Sequence, residues 1–268
     1  MDRKKVISRT QSVTYRKRIS PSRIFTALAT ITVYWFVARG VEFSPTQLVE
    51  GLPGIFEMGR QMFPPDLRVL GELFWPVIET IQIGILSTII ASIFAFPAGF
   101  LAAANTSPHQ SIYFFTRGIL NVFRGVSEII WGLLFVVAVG LGSFAGVLAL
   151  VIFSIGAIGK LTAEALESVD PGPVEAIRST GASNWRVFLY GVWPQVIPLY
   201  LSYCLYYWDH NTRQATILGF VGAGGIGYTL FVSLSMYEYE QVTTQIIVMV
   251  LLITAIDRFC WFLRRRII

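Results

Sequence analysis

Six apolar runs of 15 to 31 residues, to be set against the ~20 that a hydrocarbon core about 30 Å thick demands, constrain this chain more than anything else in it. They fall at 24–38, 73–103, 119–141, 144–163, 187–208 and 241–263. Backbone that crosses a bilayer must satisfy its own N–H and C=O groups, which leaves helices or a closed barrel, and runs of this length are helical. Composition agrees: 54% of residues are hydrophobic and only 14% charged, against about 45–50% and 25% in soluble domains. The chain is therefore read as an all-α polytopic membrane protein of about six transmembrane helices.

A formal charge of +5 raises nucleic acid as a partner, but the cations are not spread over one face. They collect at Arg3, Lys4, Lys5, Arg9, Arg16, Lys17, Arg18 and Arg23, and again at Arg264, Arg265 and Arg266. That is the positive-inside pattern of a membrane protein with both termini in the cytoplasm, so membrane lipid is the partner and nucleic acid is not. Six spans return the chain to its starting side, and the same parity puts the connector 104–118, with His109 and Arg117, and the insert 164–186 in the cytoplasm. One apolar stretch, 215–234, remains; a seventh span would carry Arg264–Arg266 outside, so it is read as a partly buried extracytoplasmic segment. The first run follows a basic stretch as a signal peptide would, but no small-x-small cleavage site follows it, and it is read as an uncleaved anchor. The organisation expected is 1–23 as a basic cytoplasmic terminus, 24–72 as anchor plus extracytoplasmic loop, and 73–268 as the transmembrane domain. Pro97 is expected to bend the second span, and Cys204 and Cys260, both in apolar runs, behave as small hydrophobes.

Motifs for chemistry fail on context. Gly222, Gly224 and Gly227 satisfy G-x-G-x-x-G without the strand–helix setting of a dinucleotide site, and the glycines before Lys160 lack the spacing and the Ser/Thr of a phosphate loop. Nothing in the sequence suggests a metal site or an acyl-transfer nucleophile, so no enzyme, no metal and no resident cofactor are expected.

The polar stretch EAIRSTGASNWRVFLYGVWPQVIP, from Glu175 to Pro198, interrupts this apolar chain. Asp170 can cap a short helix carrying Pro173 and Glu175 in its first turn, and Gly181 can end it in the left-handed conformation. Ser183 or Asn184 can cap the next helix. The product is a surface helix presenting Glu175, Arg178 and Ser179; the alternative is a plain solvated loop between spans.

Glu175, Ala176, Gly181 six residues on, and Pro194 thirteen after that resemble the EAA loop of ABC importer permeases, with Ile177, Gly191 and Trp193 departing from the motif. FVVAVGLGSFAGVLAL, ALESVDPGPVEAIRSTGA, LYGVWPQVIPLYLSY and ILGFVGAGGIGYTL are similar to permeases of phosphonate, phosphite and hypophosphite importers. The resemblance implies a type I ABC importer fold: a second permease copy as a homodimer, two cytoplasmic ATPases holding ATP and Mg, and an extracytoplasmic binding protein for phosphonate or a related oxyanion. It implies that 164–186 is the coupling loop, with Pro173, Glu175, Ala176, Arg178 and Gly181 contacting the ATPase. An ion-coupled secondary transporter is the rival class, and it leaves the polar insert unexplained.

Remaining candidates are polar or small residues near the spans. Gly222, Gly224, Gly225 and Gly227 offer close backbone approach at a gate or dimer seam, or a static packing patch. Arg124 with Glu128, and Lys160 with Glu164, stand four apart and can pair along a helix. Arg213, after Asp209-His210-Asn211, is expected on the outer side, in the path of an oxyanion or paired with Asp209. Glu79, near the outer end of the second span, is expected beside the path as a scaffold or gate partner.

Overall fold

A computed structural model describes residues 21–41 and 44–267, and every regular element among them is a helix. The basic residues Arg3 to Arg18 lie outside the described residues. The chain divides into two units, Met1–Glu57 and Met58–Ile268. In the first, α1 (Pro21–Gly40) forms from the first apolar run, its Thr30 and Thr32 hydroxyls returning to the Thr26 and Leu28 carbonyls. α2 (Pro45–Gln61) begins there and ends in the second unit; Pro45, where a loop was expected, opens it at a position whose N–H would be orphaned anyway, and Pro53 sits inside it.

Four helical stretches are long and apolar enough to cross a membrane, and a bent pair brings the total to five. α1 does not reach that hydropathy, because its threonines and Arg23 dilute it, so among the described residues the expected six become four or five. α3 (Phe74–Ala102) runs on through Pro97. The run at 119–141 is two helices, α4 (Gln110–Gly125) and α5 (Glu128–Val139), bent by 89°. The bend lies at Val126 and Ser127, both extended, and the Trp131 indole N–H donating to the Phe123 carbonyl (3.1 Å) ties its two arms.

α6 (Ser143–Glu167) is the spine, with 61% of its apolar window buried against 17% for the last helix, α11 (Tyr239–Ile267). Small residues let neighbours approach it closely: a Cβ on Gly99 of α3 would stand 2.7 Å from Thr162 Cβ, and one on Gly156 would stand 2.8 Å from the Leu120 carbonyl oxygen of α4. In a bilayer, where lipid tails are as apolar as any core, such close approach is what holds helices together.

After α6 come α7 (Pro171–Ser179), α8 (Asn184–Val187), a π-helical turn (Phe188–Val192) and α9 (Trp193–Leu218). α9 extends well past residue 208, where the run was expected to end. The leftover stretch 215–234 is thus not a separate segment: its first residues complete α9, a 3₁₀ turn follows at Gly219–Val221, and α10 (Gly225–Ser235) takes the rest. Two ends of the bundle are distinguished by contacts. At one, the 103–109 connector meets the end of α6, through Ala104 N–H on Glu167 (2.9 Å) and the Asn105 amide on the Leu166 carbonyl (2.6 Å). At the other, Gly142 N–H donates to Gly222 O (2.8 Å), and Thr244 hydroxyl to Asp66 O (2.8 Å).

Candidate functional site

The sequence predicted a capped surface helix after residue 170, and α7 is that helix. Asp170 is its N-cap, accepting from Gly172 N–H at 2.9 Å, Pro171 opens it, and it closes through Thr180 to Gly181, whose φ of +78° is left-handed. Pro173, Glu175, Ala176, Arg178 and Gly181 are all exposed. The inner face, Val174 and Ile177, rests on the π-helical turn at Gly191, where a Cβ would stand 3.2 Å from Val174 Cα. Gln195 clamps the joint: its carbonyl accepts Asp170 N–H (3.0 Å) and its amide donates to Gly191 O (2.7 Å). α7 is therefore carried by the broken end of α9. Gly191, which departs from the importer motif, is what allows that seat, and a lone glycine in an apolar run was its only sequence signal.

At the opposite end, Gly222 (φ +85°), Gly224 (+78°) and Gly225 (+70°) form the turn into α10. Gly227 sits against α9 so closely that a Cβ would overlap the Thr216 carbonyl. Glu79 is bound up with this segment: its carboxylate accepts Gly225 N–H (3.0 Å), while the Thr80 hydroxyl accepts Ile226 N–H (2.9 Å). Two adjacent residues of α3 thus satisfy the orphan amides of α10, and the carboxylate lies at that helix's positive end.

Half way between the ends lies a polar layer. Asn211 is fully buried and bonds Ser154 (3.0 Å) and Thr88 (2.9 Å), each near the midpoint of its helix, so one amide joins α3, α6 and α9. Beside it the expected Arg124–Glu128 pair is corrected. Glu128 Oε1 lies 3.0 Å from His210 Nε2 of α9, and Arg124 forms no ion pair among the described residues. The i,i+4 rule presumes one continuous helix, and here the bend separates the two residues. His210, which sequence reading left without a role, is stacked on Phe153 and Tyr206 and edge-on to Tyr207. Lys160 and Glu164 do pair, at 3.9 Å. Arg213 pairs with Asp209 inside α9 rather than following it, the carboxylate buried and the guanidinium half-exposed.

A family model described as "Binding-protein-dependent transport system inner membrane component" matches residues 95–268. The phosphite transport system permease protein PtxC of Stutzerimonas stutzeri is 40% identical over 231 residues, covering 86% of this chain and 83% of that protein. The putative phosphite transport system permease protein HtxC of the same organism is 41% identical over 247 residues, 92% and 86% of the two chains. Among solved structures, the inward-facing MetNI methionine ABC transporter superposes with a TM-score of 0.66 at 20% identity, over 76% of this chain and 99% of that one.

Proposed function

The chain belongs to the family of binding-protein-dependent transport system inner membrane components, and on that premise we propose that it is the permease of an ATP-driven importer for phosphonates or related reduced-phosphorus oxyanions such as phosphite. It is a transport subunit and not an enzyme. ATP and Mg belong to two separate ATPase subunits, cargo arrives on an extracytoplasmic binding protein, and a second copy of this chain completes the pathway in the bacterial inner membrane.

The observation that carries this reading is the mounting of α7. A nine-residue helix that buries none of its residues fully adds little to the core of the bundle, yet it is capped at both ends and clamped by Gln195 to the start of α9. Force applied to its exposed face passes into a long transmembrane helix. Closure of an ATPase pair on two such helices rocks the bundles between inward- and outward-facing states, which is rigid-body alternating access. The α7 end, with the 103–109 connector, is then cytoplasmic, and the glycine turn before α10 lies at the outer end, where Gly222, Gly224, Gly225 and Gly227 form a gate or seam braced by Glu79. The relatives named for phosphite transport support the cargo class.

The test is uptake of labelled phosphite and methylphosphonate by proteoliposomes containing the permease, its ATPase and its binding protein. Uptake is expected to require ATP and to stop with vanadate. Uptake driven by an ion gradient without ATP would place the chain with secondary transporters.

A further inference from the structure

Arg124 stands where a lone cation is hardest to keep. Its backbone N packs against Gly156, close to the midpoint of the 25-residue α6, and the nearby Asn211 network sits at the middle of α3 and α6 alike. An ionisable side chain at that depth is costly and marks a functional site by default. The carboxylate four residues on does not neutralise it, being turned to His210 across the bend. Phe153, one turn from Gly156 on α6, stacks on His210, so the backbone of Arg124 and the imidazole lie against the same stretch of that helix. Four helices, α4, α5, α6 and α9, thus bring one free cation, one carboxylate–imidazole pair and three aromatic rings to one level. The level is open to approach: Arg124 and Tyr206 are exposed in the single chain, and the side chains of Glu128 and His210 are 12% and 27% exposed.

We propose that Arg124, with the His210–Glu128 pair beside it, forms an oxyanion-binding station half way along the translocation path, taking a tetrahedral phosphorus oxyanion such as phosphite or methylphosphonate between the two gates. The proposal rests on the importer reading. A guanidinium fork matches two oxygens of such an anion. The imidazole, fixed by Glu128 and by its stacking on Phe153, supplies a second polar contact, and the carboxylate keeps the site from holding an anion too tightly to release. A lipid phosphate is a poor occupant, because headgroups lie about 15 Å away at the edges of a 30 Å core.

The complex of permease and ATPase, in nanodiscs without binding protein, is titrated with ¹⁴C-methylphosphonate. Wild type is expected to show saturable binding. Arg124→Gln is expected to weaken it about tenfold or more, the loss of a charge-assisted hydrogen bond, with Arg124→Lys intermediate. Glu128→Gln keeps a hydrogen-bonding side chain beside His210 but removes a negative charge, and is expected to bind roughly fivefold tighter. A structural role for the cluster does not predict that sign. Unchanged binding in Arg124→Gln, equal weakening in Glu128→Gln, or no saturable binding in wild type overturns the station. ATP-driven uptake by the same wild-type complex, with binding protein added, is read separately: if uptake persists while binding behaves in any of these ways, the station falls and the importer reading stands.

Discussion

Two glycines at the ends of the α7 joint are required for different physical reasons, and substitution separates them. Gly181 has open space around it but a φ of +78°; a β-branched residue there is strained by about 1–2 kcal/mol and redirects the chain leaving α7. Gly181→Val is expected to leave the complex assembled and ATP hydrolysis measurable while uptake per ATP falls, and full uptake with tight coupling would show that the exit from α7 is unimportant. Gly191 has ordinary helical geometry but no space, since Val174 and Ile177 lie against it. Gly191→Ile, the motif's own residue, is expected to cost about 1–3 kcal/mol by overpacking, seen as a lower melting temperature and faster proteolysis in the 170–190 region. An unchanged profile would mean that α7 does not need its seat on the π turn.

A π-helical turn contains one residue more than the α-helix around it and is commonly found at functional sites. Here it spans Phe188–Val192, between α7's anchor and the proline-opened start of α9. Deleting Tyr190, which is exposed, removes the extra residue that the π geometry absorbs, regularises the turn and so closes the widened backbone at Gly191 on which Val174 and Ile177 rest. The expected result is a permease that inserts and binds lipid normally but no longer stimulates ATP hydrolysis when loaded binding protein is added. Preserved stimulation would show that the transmitted motion does not pass through this turn. The bend between α4 and α5 has the opposite character: it is pinned by Trp131 and by the Glu128–His210 contact, and so holds Arg124 at a set depth.

Across the whole molecule, one buried amide holds three spans. Asn211→Leu leaves the Ser154 hydroxyl without its partner and is expected to destabilise the bundle by roughly 1–2 kcal/mol, the upper end of values for side-chain hydrogen bonds in membranes, measurable as a lower melting temperature in detergent. No loss would mean that packing of Ala91, Ala95 and Ile158 suffices there. Orientation is tested by cysteine labelling in a background with Cys204 and Cys260 replaced by alanine. Ser179→Cys and Gln110→Cys, at the α7 end, are expected to react only from the cytoplasm, and Ser235→Cys and Glu238→Cys only from outside. Reaction of either outer pair member from the cytoplasm would invert the placement proposed for the bundle.

Class, helical content and the α7 surface helix were legible in the chain itself, because they depend on local chemistry: apolar run length, an Asp cap, a proline at the first turn and a glycine at the end. Motif spacing around Glu175 and Gly181 pointed to the family for the same reason, since a short surface helix carries its signature in consecutive residues. Partner choice was not legible. Glu128 chose His210, 82 residues away, over Arg124, four away, because extended backbone at Val126 and Ser127 broke the helix that would have paired them. Glu79 went to the amides of α10, and Arg213 was drawn inside α9, because that helix ran on through residues a hydropathy count assigned elsewhere. These outcomes were decided only when the spans packed, since long-range contacts settle which of several satisfied arrangements a charge in an apolar medium adopts.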